Sequence, residues 1–292
     1  MSNTLPLTIA VLGTGLMGAP IARNLRKHGF VVNAWNRTLA KAQALAVEGV
    51  QVYKTPSDAV QNADVIVTML KDGSAVQEAM QDAAPALKHG AIWLQMSTVG
   101  IDATERFKRQ AAALDLVFFD APVQGTRQPA ELAQLVVLVS GSKERQSVIQ
   151  PVFDAVSKRT LWVSEQPGSS TRLKLALNSW AFALTHGLAE SLGLAKGLGI
   201  DPALVVDVVT GGPMDSGYFQ GKAAAILADN YAASFSIGNA VKDAQLVVDA
   251  IELAHVRLDL AQAGLTRFER ALAAGHGDKD MAASYLVSTH QE

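Results

Sequence analysis

The stretch "TIAVLGTGLMG", residues 8 to 18, constrains the fold more than any other part of this 292-residue chain. Its first five residues form an apolar run, the pattern of a strand buried on both faces of a sheet. Gly13, Gly15 and Gly18 then fall at G-x-G-x-x-G spacing, and a helical stretch runs on to about Lys27. Each glycine answers a steric demand. The first allows a tight turn, the second lets backbone approach a pyrophosphate, and the third lets helix pack on strand, with the helix N-terminus facing the phosphates. Alone the spacing is a weak signal. Directly after a strand and opening a helix, it predicts a dinucleotide site in which Gly13, Thr14, Gly15, Leu16, Met17 and Gly18 form the phosphate turn.

Further apolar runs follow at 31–35, 64–70, 91–97, 116–123, 135–141 and 160–164, and helical segments separate most of them. One of these, "LAKAQALAVEG", reads as a single helix stopped by Gly49. Such alternation implies a largely parallel sheet with helices on both faces. After Gly168 the strand-like runs stop, and Ala/Leu-rich helical stretches continue to the end. The fold class expected is α/β: an N-terminal Rossmann dinucleotide-binding domain over residues 1–167, followed by an all-α C-terminal domain over 168–292, joined by a long interdomain helix. That helix should start at Ser169, Ser170 or Thr171, all suitable N-caps, and run to about Leu198.

Composition removes several function classes. A net charge of −2 argues against a nucleic-acid binder held by a basic surface. With no cysteine, disulfides and thiolate metal sites are impossible, and the six histidines are scattered without a close ligand pair, so no metal is expected. The N-terminal "MSNTLPLTIAVLG" has no basic region before its apolar run, and that run is too short to span a bilayer. The expectation is a soluble, cytoplasmic protein with a loose polar tail, "STHQE".

The second strand, "VVNAW", ends in Asn36, Arg37 and Thr38. Dinucleotide-binding folds usually place an acid here, about 20 residues after the glycine turn, for the adenosine ribose. A carboxylate would repel a 2′-phosphate. An arginine offers that phosphate a permanent charge and fork-shaped donors, and Asn36 and Thr38 add neutral ones. The cofactor expected is therefore NADP(H) rather than NAD. The plainer reading of Arg37 is a solvated turn residue.

In the long helix no Asp, Glu, Lys or Arg appears from Leu175 to Ala189, the pattern of a buried helix. Lys174 and Asn178 lie one turn apart on one face. A lysine buried there has its charged form disfavoured, and its pKa falls toward the range useful for proton transfer at neutral pH. The same position also admits a lysine that snorkels to water from the first turns.

Five segments in register, "VLGTGLMGAPIARNL", "NRT", "DAPVQGTRQPAELAQLVVLVSG", "GSSTRLKLALNSW" and "FSIGNAVKDAQLVV", resemble the β-hydroxyacid dehydrogenase family, which includes 3-hydroxyisobutyrate dehydrogenases and glyoxylate/succinic semialdehyde reductases. The resemblance covers almost the whole chain. It implies that Lys174 is the catalytic lysine and Asn178 the asparagine that helps hold substrate. By the same resemblance Gln124, Gly125 and Thr126 form the substrate loop, where the family usually begins with serine. Met69, Leu70, Thr98 and Lys242, with Asp243 beside it, fall at cofactor-side positions. Gln95 and Met96 replace a more usual acid, and Ser179 replaces a common second asparagine. "GTRQPAELAQL" is closer to the glyoxylate/semialdehyde reductase branch. The reaction implied is hydride transfer between NADP(H) and a small β-hydroxy acid or aldehyde/keto acid, in a homodimer or homotetramer. Two other readings stay open: an imine reductase of the same architecture, which usually has another residue where Lys174 stands, and a non-catalytic NADP-binding interaction module.

Overall fold

A computed structural model describes residues 7–288, so the first six residues and the last four of the expected loose tail lie outside the described part. The chain divides into two units, one up to Lys174 and one from Leu175 onward.

The first unit is built on one sheet. Strands β1 (Thr8–Leu12), β2 (Val31–Trp35), β3 (Gln51–Tyr53), β4 (Val65–Thr68), β5 (Ile92–Gln95) and β6 (Val117–Asp120) are all parallel, in the order β3-β2-β1-β4-β5-β6. This is the doubly wound Rossmann order, which reverses direction between β1 and β4. Successive side chains of a strand point to opposite faces. Accordingly Ile9 and Val11 enter one buried cluster with Val65, Val67 and Leu94, while Ala10 and Leu12 enter another with Ile66 and Trp93. Covering both faces are α1 (Gly18–Lys27), α2 (Leu39–Gln43), α3 (Pro56–Val60), α4 (Gly73–Ala83) and α5 (Ile101–Ala113). The three-residue edge strand β3 carries no apolar run and was not legible. The helix expected over 39–49 ends early and tightens into a 3-10 turn at Ala46–Glu48. Ala42 and Leu45 are both fully buried, and a three-residue repeat sets such a pair on one side.

The run at 116–123 is two strands, not one. Pro122 has no N–H to give a ladder, and its carbonyl accepts from Leu138 instead. The chain therefore leaves β6 and enters β7 (Val123–Gln124), which pairs antiparallel with β8 (Leu135–Ser140). After β7 comes α6 (Arg127–Glu131), and α7 (Gln146–Asp154) leads from β8 to β9 (Ser157–Ser164), which is parallel to β8.

Helix α8 (Ser169–Gly197) starts where its sequence suggests, but Ser169, Ser170 and Thr171 are not its caps. The first donors go to side chains distant in sequence. Asp120, fully buried at the end of β6, accepts the N–H groups of Gly168 (3.0 Å) and Thr171 (2.7 Å) and the Thr171 hydroxyl (2.7 Å). Ser140 of β8 accepts from the Ser170 N–H at 3.0 Å. Burial pushes the Asp120 carboxyl up, and the donors of Thr171 and Gly168 offset this only in part.

The second unit holds the rest of α8 with α9 (Pro202–Val209), α10 (Gly217–Leu227), α11 (Ile237–Ala254) and α12 (Asp259–Ala271). No helix among the described residues is long and apolar enough to cross a membrane. The expectation that α8 is buried on nearly all sides is corrected: Trp180 is 64% and Leu194 65% exposed, so one apolar face is largely uncovered among the described residues. Facing inward on α8, His186 packs against the Phe268 ring at 4.3 Å, and its ring fills the space beside Gly264. Neither ring nitrogen has a protein partner among the described residues. Burial, then the nearby Arg267 charge, push its pKa down from 6.5 to about 4.

Two outcomes follow for stability. Replacing Asp120 by alanine orphans two buried backbone donors and should cost about 2–5 kcal/mol in chemical denaturation. Asp120→Asn keeps a neutral acceptor in place and should cost clearly less. For His186, the unfolded chain takes up a proton below pH 6.5 that the folded unit refuses until about pH 4. Its contribution is thus fully present above pH 6.5 and is lost as pH falls through that window, by about 3 kcal/mol. Denaturation at pH 7 and pH 4.5 should show a smaller acid loss in His186→Leu.

Candidate active site

The glycine turn sits at the carboxyl end of β1, beside the end of β4, where the sheet order reverses. Met69 N–H bonds the Leu12 carbonyl at 2.9 Å, continuing the β1–β4 ladder into Met69 and Leu70. Gly13 has φ +103°, and a Cβ there would lie 2.3 Å from the Met69 carbonyl oxygen. At Gly18 a Cβ would lie 1.9 Å from the Gly13 carbonyl oxygen, so its constraint is chiefly the turn itself rather than helix against strand. Gly15 is exposed, and nothing lies within 4 Å of where its Cβ would be. That open backbone beside the start of α1 is a cradle for a pyrophosphate, and the residues present fit a dinucleotide.

Asn36 braces this turn. Its Oδ1 accepts from Thr14 N–H at 3.0 Å and its Nδ2 donates to the Thr38 carbonyl at 3.0 Å. Much of the hydrogen-bonding capacity expected for a ligand is thus used inside the protein. Arg37 and Thr38 are exposed, and no described side chain pairs with the Arg37 guanidinium.

Thr98 follows β5 beside a buried, uncharged network that sequence reasoning missed. Trp93 Nε1 donates to Thr68 Oγ1 at 3.0 Å, and Gln95 Oε1 accepts from Thr68 Oγ1 (3.3 Å) and Ser97 N–H (2.9 Å). Gln95 Nε2 donates to the Ser97 carbonyl at 2.7 Å, and Ser97 Oγ accepts from Leu70 N–H at 2.9 Å. This last bond ties the Leu70 and Thr98 segments together. An amide suits position 95 because it must both donate and accept, which a carboxylate cannot do.

Lys174 is 8% exposed and does not snorkel to water: its Nζ donates to Gln124 Oε1 at 3.0 Å. Gln124 is held at the β7 pairing with Val136. The loop beyond it is also constrained. Gly125 has φ +129°, and a Cβ there would meet Leu135 Cδ2 at 2.8 Å, while Thr126 precedes α6 without a side-chain cap.

One turn after Lys174, Asn178 is 5% exposed and its Nδ2 donates to Asp243 Oδ2 at 3.1 Å. Lys242 forms an ion pair with the same Asp243 carboxylate. Asp243 is buried on α11. Its capture of Asn178 is a contact across 65 residues that no spacing rule shows.

Residues 8–164 match the family described as the NAD binding domain of 6-phosphogluconate dehydrogenase, and residues 168–287 the one described as NAD-binding of NADP-dependent 3-hydroxyisobutyrate dehydrogenase. Glyoxylate/succinic semialdehyde reductase 1 of Arabidopsis thaliana is 29% identical over 280 residues, covering 95% of this chain and 96% of that one. The crystal structure of a 3-hydroxyisobutyrate dehydrogenase from Salmonella typhimurium aligns with a TM-score of 0.89 at 25% identity, over 96% of this chain and 99% of that one. An imine reductase from Pseudomonas sp. shares the fold at a TM-score of 0.62 and 23% identity, over 98% and 100%. Together with the glycine cradle at the reversal point of the sheet, these matches establish that the chain belongs to the β-hydroxyacid dehydrogenase family, a family of nicotinamide-dinucleotide oxidoreductases.

Proposed function

We propose that the protein is an NADP-dependent reductase or dehydrogenase acting on a small carbonyl or β-hydroxy acid, with Lys174 as its proton donor and acceptor. The observation that carries this reading is the buried Lys174 amine, held by Gln124 one helical turn before Asn178. When bound, the nicotinamide supplies or takes the hydride at the reacting carbon. In reduction, protonated Lys174 gives the developing alkoxide a proton from Nζ and is left neutral, to be recharged from solvent. In oxidation the neutral amine takes the hydroxyl proton. Asn178, held through its amide by Asp243, orients the reacting oxygen, and the backbone N–H groups of the Gly125–Thr126 loop grip the carboxylate.

The phosphorylated cofactor is supported by the absence of an acid at the end of β2 and by the exposed Arg37, which has no ion-pair partner among the described residues. Gly13 through Gly18 would hold the pyrophosphate, and Met69, Leu70, Thr98 and Lys242 complete the cofactor side. A homodimer or homotetramer is supported by the exposed apolar face carrying Trp180 and Leu194. An imine reductase activity has the shared fold in its favour and Lys174 against it.

Lys174→Ala should lower kcat by about 10²- to 10⁴-fold, the usual weight of a general acid, while NADPH binding measured by fluorescence is retained. The assay is NADPH oxidation with glyoxylate, succinic semialdehyde, methylmalonate semialdehyde and cyclic imines. Turnover of imines alone would favour the reductase of the other class. Arg37→Ala should raise the Michaelis constant for NADPH by about 10- to 100-fold, the loss of charge-assisted hydrogen bonds, and leave that for NADH nearly unchanged. Equal effects on both cofactors would refute the 2′-phosphate assignment.

A further inference from the structure

We infer that Gln124 is a positioning residue that aims the Lys174 amine and favours its protonated form, leaving its Nε2 as a donor for substrate. This rests on the reading of Lys174 as the proton donor.

The chemistry of the pair decides the orientation of the amide. A lysine ammonium has three donors and no acceptor, so the oxygen of Gln124 must be the atom at 3.0 Å. That oxygen cannot then meet a substrate carboxylate, because two acceptors repel. The nitrogen has no partner among the described residues and is a donor only. The Gln124 nitrogen therefore suits a substrate acceptor, a carboxylate or a carbonyl oxygen. A hydroxyl-bearing residue of serine's length stops two bonds short of the Gln124 amide oxygen. It leaves the lysine without this partner and the site with more room. Gln124 thus holds the amine in one direction.

The side chain is placed to do this. Its backbone is fixed by the β7–β8 pairing, and the chain immediately beyond passes through Gly125, whose φ of +129° L side chains rarely adopt. Lys174 lies three residues after Thr171, whose N–H and hydroxyl are bound by buried Asp120. Both ends of the Gln124–Lys174 bond are therefore set by rigid elements of the same unit. Because burial disfavours a charged amine, an amide oxygen on Nζ works in the opposite direction and keeps the acid form available.

The test is the pH dependence of kcat/KM with the fastest carbonyl acid of the panel above, in the parent, Gln124→Glu and Gln124→Met. Alongside it, trace acetylation of Lys174 is read by peptide mass spectrometry with the other lysines as internal references. Glutamate is the same shape and adds a negative charge, so both the alkaline limb and the acetylation midpoint should move up by about one pH unit or more. Methionine has no comparable acceptor, and both should move down. Circular dichroism confirms folding of each variant, and Gln124→Glu alone suffices if the methionine variant does not fold. Turnover that depends on Lys174 but has superposable profiles in all three proteins overturns the role of Gln124 and leaves that of Lys174 standing. Turnover that survives Lys174→Ala overturns both.

Discussion

A single buried carboxylate carries much of the geometry. Asp120 ends a central strand and takes the N–H groups that open α8, as a capping side chain would, but from 48 and 51 residues away. The first turn of a helix has donors without intrahelical partners, and burying them unpaired is costly. Asp120 and Ser140 meet that requirement and in doing so fix where α8 starts and how it is rotated. Lys174 is the first lysine after that point, and its direction toward Gln124 follows from the rotation. Were the helix capped by its own Ser169–Thr171, its first backbone donors would not be tied to the strand ends.

The strand ends themselves are organised by neutral groups. Gln95, Ser97, Thr68 and Trp93 satisfy one another with no charge among them, next to the segments assigned to cofactor. Ionised groups buried here would also change charge with pH; amides and hydroxyls that satisfy one another do not. The charged residues assigned to the site are treated differently. Lys242 is paired with Asp243, Lys174 is held by an uncharged amide, and Arg37 is left at the surface, open to an anion.

What was readable from sequence depended on distance along the chain. The glycine turn, the buried strands β1, β2, β4 and β8 and the extent of α8 are local patterns, each set by the residues that form it. The break between β6 and β7 was missed although Pro122 was in view, because an apolar run hides a change of pairing partner. The three-residue β3 has too few residues to show a period. Asp243 stood beside Lys242 in the sequence, yet its burial and its hold on Asn178 arise from two helices meeting.

The order of amino acids by itself determined an α/β nucleotide-binding half, an all-helical second half, the glycine cradle, and the arginine that replaces an acid at the end of β2. These are properties of short windows, where steric and hydrophobic periodicity act between near neighbours. Only the tertiary structure decided that Asp120 caps α8, that Gln124 rather than water meets the Lys174 amine, and that Asn36 braces the turn it was expected to serve. Each of those is a hydrogen bond between residues far apart in the chain, and its partner is chosen by which groups folding leaves buried and unpaired.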